Sequence, residues 1–541
     1  MALNSKQQVD MPLKGTVKHK IGKSVYIYYV VRTYRNERGK PANDRVSIGK
    51  LDEKTGKLIP NRNYYEVYLK EEAPSAQCIK SYGVTYLIDS IVKELKLDAV
   101  LAKKFPELSA RIIAIAEYML CEGNIMHYYE DWSEGVYPYR NTRLSSQQIS
   151  RVFQGIDYES RMDFFRTWIH ARDPKEYIAY DVTSISSYSQ GIENLEYGYN
   201  RDGDDLPQLN MALYYGEKSK LPLYYNVYPG SITDKTHLAT MLQDNEMIGC
   251  RHVKYILDRG FFSTENIQKL VAAGCRFVMA LPNSIKFASQ IIDKYRNEIV
   301  NRSECRLGKG LPYAKSVIVE EFGVRAKVHI YYSPSKAVLE EESLYERIDK
   351  EEQALIGMAT APPKAKRYDR HFKINRSKDG GFGFIRDQDK INAEISRLGF
   401  FLLLETDFKS TSEEILSTYR RRDAVEKTFG ELKNGLDMKR LHCQTDSTVE
   451  GKIFVAFFSL ILRSFIQNKL KAYQQETAAS FASIIKELNK IKFVVTSDGR
   501  KMLTPITKKQ RDIFEACGFQ TDNIPDWLNL SISAIDDFCI V

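Results

Sequence analysis

The stretch that decides the fold is residues 419–433, which read YRRRDAVEKTFGELK. In one continuous helix of 3.6 residues per turn, four polar residues at offsets of 0, 3, 7 and 14 share a stripe roughly 60° wide: Tyr419, Arg422, Glu426 and Lys433. An apolar stripe runs beside it through Ile415, Val425, Phe429, Leu432 and Leu436. The pattern predicts a helix that packs on the core along one edge and presents a polar wall along the next. An ordinary solvated helix would have the same pattern. The choice between the two interpretations therefore depends on the residues of the neighbouring predicted strands.

Short apolar strands that end in an acidic residue lie upstream of this helix. Residues 177–180 form a predicted strand that ends at Asp181, and residues 253–257 form another that ends at Asp258. Strands are also predicted at 209–215, 223–228, 276–281 and 399–404, with helices at 235–248 and 263–273. Three meandering strands followed by alternating helix and strand predict an α/β fold with a ribonuclease H-like core.

The acids at these positions are candidate metal ligands. Open α/β sheets present ligands at their strand ends, so Asp181, Asp258 and Glu426 are expected to converge there. Three carboxylates would hold two Mg²⁺ ions, one to activate a water or 3′-hydroxyl and one to stabilise the leaving oxygen of a phosphoryl displacement. Without metal, repulsion between the carboxylates should raise one pKa.

Other interpretations of the acids stay open from the residues alone. An aspartate that closes a strand is often only a turn or cap residue. Further acids lie close by in sequence: Asp202, Asp204, Asp205, Glu405 and Asp407. Glu426 differs from them because Arg422 and Lys433 on its own stripe could hold the phosphates that flank a cut.

Composition excludes several classes of protein. The 541 residues carry eight cysteines without a Cys-x-x-Cys pair, which excludes a classical zinc module and a disulfide framework. The amino terminus lacks the apolar region of a signal peptide, and the longest apolar stretch, 453–466, is too short to cross a membrane. We therefore expect a soluble, cytoplasmic protein with no membrane partner.

The charge points to a polyanionic partner. The formal net charge is +9, and residues 1–75 hold 15 Lys+Arg against 8 Asp+Glu, so 15 − 8 = +7 of it lies there. A second basic stretch, 364–378, holds seven Lys+Arg against one aspartate. Its candidate DNA-binding residues are Lys364, Lys366, Arg367, Arg370 and Lys373. The same composition would also suit a solvated loop.

Six regions follow from these patterns. Residues 1–75 are predicted to be basic and β-rich, with a strand at 64–68, and residues 76–172 to be helical; either could contact DNA. Two short helices within the second region, 146–153 and 158–169, could form a helix-turn-helix, although helical hairpins are more often only structural. The core halves are placed at 173–284 and 396–470, around a β-rich insertion at 285–395, and a helical tail at 471–541.

The acids and the polar stripe together resemble the DDE transposases of bacterial insertion sequences. The pattern Tyr419-x2-Arg422-x3-Glu426-x6-Lys433 is similar to the Tyr-Arg-Glu-Lys signature of one branch, which also carries a β-rich insertion before its glutamate. Supporting matches are the segments YDVT at 180–183, GYNRDGDDLPQ at 198–208 and LDRGF at 257–261. The resemblance covers roughly residues 175–470.

The resemblance implies cut-and-paste transposition. Asp181, Asp258 and Glu426 would hold two Mg²⁺ ions, for which Mn²⁺ could substitute. Tyr419, Arg422 and Lys433 would contact double-stranded DNA near the cleaved end. The partners implied are terminal inverted repeats, target DNA and a second copy of the chain in a synaptic homodimer. Nicking, a hairpin intermediate and strand transfer would follow in that order.

One departure from the family concerns the hairpin step. In related enzymes a tryptophan of the insertion can stack on a flipped base, but the tryptophans here are residues 132, 168 and 527. A tyrosine or phenylalanine of the insertion could take that place, or the step could differ. Two other functions remain open: a DNA-end-binding regulator without chemistry, and a nuclease that hydrolyses without strand transfer.

Overall fold

The computed structural model describes residues 8–12, 14–22, 24–72, 76–172, 176–248, 253–358, 368–376, 381–497 and 501–521. The chain divides into two compact units. The first comprises residues 1–102, 106–152 and 465–541, and the second comprises residues 103–105 and 153–464. Within the described ranges, no helix is long and apolar enough to cross a membrane.

The helices of the described residues are α1 (Gly83–Glu94), α2 (Leu97–Lys104), α3 (Ser109–Glu122), α4 (Tyr129–Gly135), α5 (Ser146–Gln154), α6 (Tyr158–His170), α7 (Asp234–Met247), α8 (Thr264–Ala272), α9 (Lys286–Ile299), α10 (Pro334–Ile356), α11 (Gln388–Ile395), α12 (Ser412–Arg420), α13 (Asp423–Gly430), α14 (Asp446–Thr477), α15 (Phe481–Leu488) and α16 (Lys508–Ala516). The strands are β1 (Thr16–Ile21), β2 (Ser24–Arg35), β3 (Pro41–Leu51), β4 (Leu58–Pro60), β5 (Ala76–Ser81), β6 (Tyr177–Ser186), β7 (Gln208–Gly216), β8 (Pro222–Pro229), β9 (Lys254–Leu257), β10 (Arg276–Leu281), β11 (Tyr313–Glu321), β12 (Val324–Tyr332), β13 (Phe372–Arg376), β14 (Phe382–Arg386), β15 (Phe400–Glu405), β16 (Lys492–Thr496) and β17 (Lys501–Leu503).

The first unit opens with a four-stranded antiparallel sheet in the order β1-β2-β3-β4. Its small core is made by Ile27, Ile48 and Leu58. The prediction of a strand at 64–68 is wrong, because Tyr64–Leu69 is helical. Tyr64 and Tyr68, one helical turn apart, stack at 5.5 Å and pack against that core, so helical spacing decides the conformation over β propensity.

A buried glutamate holds the helical part of the first unit together. Glu117 of α3 is fully buried and accepts a hydrogen bond from the Tyr139 N–H at 2.9 Å. The Thr85 hydroxyl of α1 lies 2.6 Å from Glu117 and 2.7 Å from the carbonyl oxygen of Tyr137. Because a hydroxyl has one hydrogen and a carbonyl can only accept, Thr85 donates to Tyr137, and Glu117 must be protonated to donate to Thr85. Burial raises the pKa of Glu117 to about 8, which agrees with this count of donors.

The carboxyl-terminal region is not wholly helical, which corrects the predicted helical tail. The strand β16 pairs antiparallel with both β17 and β5, which gives a three-stranded sheet in the order β17-β16-β5. The segment 492–496 reads KFVVT, a short apolar run, but the partner strand β5 lies about 410 residues earlier in the chain. Such a pairing leaves no local signal in the sequence.

The second unit is built on an eight-stranded mixed sheet in the order β11-β12-β15-β10-β9-β6-β7-β8. The strands β6, β7 and β8 form an antiparallel meander, and β9 and β10 run parallel to β6 on its other side. Antiparallel β15 then joins β10. The predicted α/β class is confirmed at this level, with strands at all six positions expected from the sequence.

The region 285–395 contributes to that same sheet. Its first hairpin, β11 and β12, pairs with β15 and so extends the sheet at one end. The second hairpin, β13 and β14, forms a separate two-stranded sheet that packs with α10 and α11 through Leu344, Ile348, Phe372 and Ile391. The described part of the region is therefore both helical and β-structured.

The helix predicted over 419–433 is divided into shorter pieces. The helix α12 ends at Arg420, α13 begins at Asp423, and a wider helical turn covers Glu431–Gly435. The residue that caps α12 is Thr411, which forms a capping box with Glu414. Arg421 and Arg422 keep right-handed helical dihedral angles, so the polar stripe continues across the break.

Candidate active site

Asp181 and Asp258 lie at neighbouring positions because β6 and β9 are parallel neighbours. Their register pairs Tyr180 with Leu257, so the next residue of each chain segment is one of the two aspartates. Behind them, edge-to-face rings 5.0–6.4 Å apart join Tyr180 to Tyr214, Tyr255 and Phe261. This packing fixes the backbone that carries the acids. Asp258 directly follows β9, as the sequence predicted, but Asp181 is not at a strand end: β6 continues past it to Ser186 because the antiparallel pairing with β7 extends that far.

The two aspartates have different surroundings. The Asp181 side chain is 16% exposed, and its Oδ1 accepts a hydrogen bond from the Val182 N–H at 2.9 Å. Burial raises the pKa of Asp181 to about 6, and the nearby charge of Asp258 adds to that rise, while Arg201 and Arg422 oppose it. The Asp258 side chain is 35% exposed. Two anions placed this way require a positive charge between them.

Arg422 supplies that positive charge in this structure. It lies at the start of α13, and its guanidinium donates to Glu426 Oε1 over 2.6 Å. The same guanidinium is 3.7 Å from Asp181 Oδ2 and 3.9 Å from Asp258 Oδ1. Its side chain is only 15% exposed, whereas that of Glu426 is 48% exposed. Three carboxylates from three separate elements therefore surround one cation.

The other two residues of the polar stripe also contact acids. The Tyr419 hydroxyl donates to Asp258 Oδ1 over 3.2 Å, and burial together with the Asp258 charge raises the pKa of that phenol. The Lys433 ammonium is buried and donates to Asp202 Oδ2 over 2.5 Å. Burial lowers the pKa of Lys433, and the ion pair with Asp202 opposes that shift.

A cleft of about 440 Å³ is lined by Asp181, Asp258, Arg422, Glu426 and Lys433. Its walls also include Arg201 and Asp202 from the loop before β7, which sequence reasoning treated as a source of competing acids and as a supporting match to the family. The charged run RDGDD at 201–205 is visible in the sequence. Its partners could not be predicted, because they lie at 433–440, more than 200 residues later in the chain. Asp204 likewise pairs with Arg440 at 2.8 Å, so this loop is held to the segment after α13 by two ion pairs.

The remaining acids have partners elsewhere. Glu405 is completely buried in β15 and lies 3.0 Å from His329 Nε2. Asp407 pairs with Lys254 at 3.3 Å and with Arg276. Both acids therefore serve the packing of the sheet in this structure.

The predicted DNA-binding residues of 364–378 are only partly described. Lys364, Lys366 and Arg367 lie outside the described residues. Arg370 donates to Glu394 over 2.9 Å, and Lys373 is 3.3 Å from Asp387. DNA contact by this stretch stays a prediction.

The donor set of the cleft fits a hard divalent cation. Carboxylate oxygens are the ligands that Mg²⁺ takes in proteins, and those of Asp181, Asp258 and Glu426 already face one shared positive charge. Throughout the described ranges, no group of three or more His, Cys, Asp or Glu side chains is arranged to hold a metal ion as it stands. Binding of a metal ion here would therefore require the Arg422 guanidinium to move.

Comparison with known proteins gave one family. The family model described as a transposase DDE domain matches residues 172–462. No curated protein matches the chain. Among solved structures, the cryo-EM structure of a piggyBac transposase synaptic complex with hairpin DNA is similar with a TM-score of 0.35 and 8% sequence identity. That similarity covers 70% of this chain and 69% of the other.

Proposed function

Because the chain belongs to the transposase DDE domain family, we propose that it is an insertion-sequence transposase that moves DNA by a cut-and-paste route. The reaction class is metal-dependent phosphoryl transfer, with strand nicking at inverted-repeat ends followed by strand transfer. The family match spans both core halves of the sequence prediction. The meander β6-β7-β8, followed by parallel β9 and β10, supports a ribonuclease H-like core.

One observation carries the proposal: Asp181, Asp258 and Glu426 converge on the Arg422 guanidinium within 2.6–3.9 Å. Three acids gathered from two strands and a helix repel one another unless positive charge is present. Such an arrangement lowers the stability of the folded protein. Clusters of like charge are typical of functional sites, and binding of metal ions and phosphates is the function that fits this cluster.

The family generally uses divalent metal ions, and we assign Asp181, Asp258 and Glu426 as the ligands of two Mg²⁺ ions that Mn²⁺ can replace. When bound, the ions supply an activated oxygen nucleophile and stabilise the leaving oxygen. The protein's own contribution is to hold the acids on β6, directly after β9 and on α13, and to place three donors beside them.

Those donors are Tyr419, Arg422 and Lys433, and their role in the proposal is to bind DNA phosphates next to the cut. A guanidinium binds a phosphate through two parallel hydrogen bonds, so Arg422 can fix the orientation of the strand. Lys433 acts as a point charge at the other end of the cleft, where Asp202 holds it. Tyr419 donates a neutral hydrogen bond, since burial keeps its phenol protonated.

The remaining features of the proposal come from the family resemblance. The chain would act in the bacterial cytoplasm as a homodimer that brings together two terminal inverted repeats and then engages target DNA. A hairpin intermediate is part of the route, and an aromatic residue other than tryptophan would stack on the flipped base. The basic regions 1–75 and 364–378, together with the helical region 76–172, would recognise the DNA ends.

The experiment is cleavage of a labelled duplex that carries the end of the element, with Mg²⁺, with Mn²⁺ and with EDTA. Wild-type protein should nick at the repeat boundary only with metal, and Asp181→Asn, Asp258→Asn and Glu426→Gln should not nick. Asp423→Asn is the matched control, because this exposed acid lies on the same helix and pairs with Lys427. It should cut as the wild type does.

The products of the same assay separate the alternatives. A hairpin and a strand-transfer product would support the full route, whereas nicking without transfer would mean a nuclease. Specific binding without any cutting by the wild type would mean a regulator that has lost its chemistry. Cutting that survives Glu426→Gln would remove Glu426 from the site.

A further inference from the structure

The hairpin between β2 and β3 extends beyond the sheet that carries it. The strand β1 pairs with β2 only as far as Tyr29, and the Val30 N–H makes the last bond to that side, to the Gly15 oxygen at 2.9 Å. The strand β4 meets β3 only from Gly49 onward. Among the described residues, the segment 31–45 is thus a two-stranded ribbon without a third strand, and we call it the ribbon.

The ribbon is exposed on both faces. Every residue from 31 to 40 is exposed, including Val31 at 49% and Tyr34 at 40%. An isolated two-stranded hairpin is at best marginally stable in water. This hairpin projects from the sheet and packs on no described core. Such a hairpin is suited to binding another molecule.

The tip of the ribbon nevertheless has a defined conformation. The Asn36 side-chain oxygen accepts from the backbone N–H groups of Arg38 at 3.1 Å and Lys40 at 3.0 Å. Gly39 has a φ of +70°, which favours glycine, and its carbonyl oxygen accepts from Arg35 at 3.0 Å. The ribbon is therefore ordered by its own turn before any partner binds.

Positive charge dominates the ribbon and is not neutralised by carboxylates. It carries five cations, Arg32, Arg35, Arg38, Lys40 and Arg45, against two acids, Glu37 and Asp44. In the part of the chain that the structure describes, none of the five forms an ion pair with a carboxylate. Three arginines of the region 285–395 differ, since Arg347, Arg370 and Arg386 each pair with an acid.

The cations lie on both faces of the ribbon. The register pairs Arg32 with Asp44, and on that face the Arg32 guanidinium lies 5.7 Å from the Tyr34 ring centroid. On the opposite face, Arg45 donates to Asn43 over 2.6 Å. A partner that surrounds the ribbon with negative charge on two sides matches this distribution.

We propose that the ribbon inserts into the major groove of the DNA end and reads it. Two paired strands are 4.7–4.9 Å apart before side chains are added, which fits the major groove, about 12 Å wide, but not the minor groove, about 6 Å wide. The four paired residues Arg32 to Arg35 extend about 14 Å, enough to cross the groove floor. The face that carries the Thr33–Asn43 pair then meets base edges, and the arginines reach the phosphate walls. This inference rests on the proposed function for the identity of the DNA.

The test is binding of the full-length protein to the duplex end in EDTA, where no cleavage step is needed. The variant is Arg32→Gln with Arg38→Gln and Lys40→Gln, because their side chains make none of the turn hydrogen bonds named above. The matched control removes three exposed cations of the carboxyl-terminal helices in the same unit, Lys471→Gln with Lys486→Gln and Arg511→Gln. Affinity is measured by fluorescence anisotropy between 50 and 300 mM salt, and guanine N7 protection by dimethyl sulfate footprinting.

We expect the ribbon variant to bind at least tenfold more weakly at about 100 mM salt, and the slope of log K against log salt to fall by about 2–3. Guanine N7 protection, a major-groove signal, should disappear with it, while the control should stay within twofold of wild type. Arg32→Lys with Arg38→Lys changes the same side chains but keeps their positive charge, so the salt slope should stay as in the wild type. This variant distinguishes an effect of charge from an effect of misfolding.

Unchanged binding by the ribbon variant would overturn the proposal. Weaker binding in the absence of any ribbon-dependent N7 protection would overturn the placement in the major groove. Failure of the proposed function gives a different result, since a wild-type protein that never cuts with Mg²⁺ can still show ribbon-dependent binding in EDTA.

Discussion

Replacing Arg422 by glutamine should tighten metal binding, although it removes a residue of the candidate site. The guanidinium now lies within 2.6–3.9 Å of all three acids, so it competes with any metal ion for the same carboxylates. Glutamine keeps a hydrogen-bond donor near Glu426 but carries no charge. The acids of the variant repel one another without compensation, and a metal ion relieves that repulsion.

The distances give the expected size of the effect. At an effective dielectric constant of about 20, unit charges 3.7–3.9 Å apart attract by about 4 kcal/mol. The side chains of Asp258 and Glu426 are 35% and 48% exposed, so solvent strongly screens their attraction to the Arg422 guanidinium. A net contribution of about 2 kcal/mol from the guanidinium corresponds to a roughly 20- to 30-fold increase in Mn²⁺ affinity when it is removed.

The assay is isothermal titration of Mn²⁺ into the DNA-free protein at pH 7.5, with thermal unfolding as a check on folding. Arg421→Gln is the matched control, since the neighbouring arginine pairs with Glu217 outside the cleft. Arg422→Lys should fall between wild type and Arg422→Gln. An Arg422→Gln protein that is folded yet binds Mn²⁺ no more tightly than wild type would refute the competition.

Three further predictions follow from buried charges. The pKa of Glu117 is near 4.5 when unfolded and about 8 when folded, so stability is full below pH 4.5 and falls by about 5 kcal/mol as pH rises to 8. Glu117→Gln preserves the neutral hydrogen bonds and should remove that slope in urea unfolding of the first unit between pH 5 and 8. Asp202→Asn leaves the Lys433 ammonium buried without its ion-pair partner and should lower the free energy of unfolding by about 3 kcal/mol. Adding Lys433→Met removes the unpaired charge and should restore part of the lost thermal stability. Glu405→Gln should retain metal-dependent nicking per folded molecule, because Glu405 is buried against His329; loss of nicking by a folded variant would make Glu405 the third acid.

Much of the core could be predicted because its signals are local. The apolar runs before Asp181 and Asp258 predicted two strands that the structure contains, and Asp258 directly follows β9. The end of β6 was not predicted, because its pairing with β7 continues past Asp181 to Ser186. Periodicity likewise predicts that Arg422 and Glu426 share one face, since i and i+4 are neighbours in any helix. The contacts among these residues depend on strand order, which no single stretch contains.

The errors came from interactions over long sequence distances and from competing local preferences. The carboxyl-terminal region was expected to be a helical tail, but its strand β16 pairs with β5, about 410 residues earlier in the chain. Tyr64 and Tyr68 have high strand propensity, yet the nearby sheet offers their rings a surface at helical spacing.

The ion pairs of the cleft also couple its two ligands. Arg422 and Lys433 are the groups proposed to bind phosphate, and each is now held by an acid of the cleft. A DNA phosphate that draws Arg422 away frees the carboxylates for metal, and a metal ion that takes the carboxylates frees Arg422 for the phosphate. By linkage, DNA must increase metal affinity by the same factor as metal increases DNA affinity. In the proposed site, the two ligands therefore bind cooperatively, because each one releases a group that the other needs.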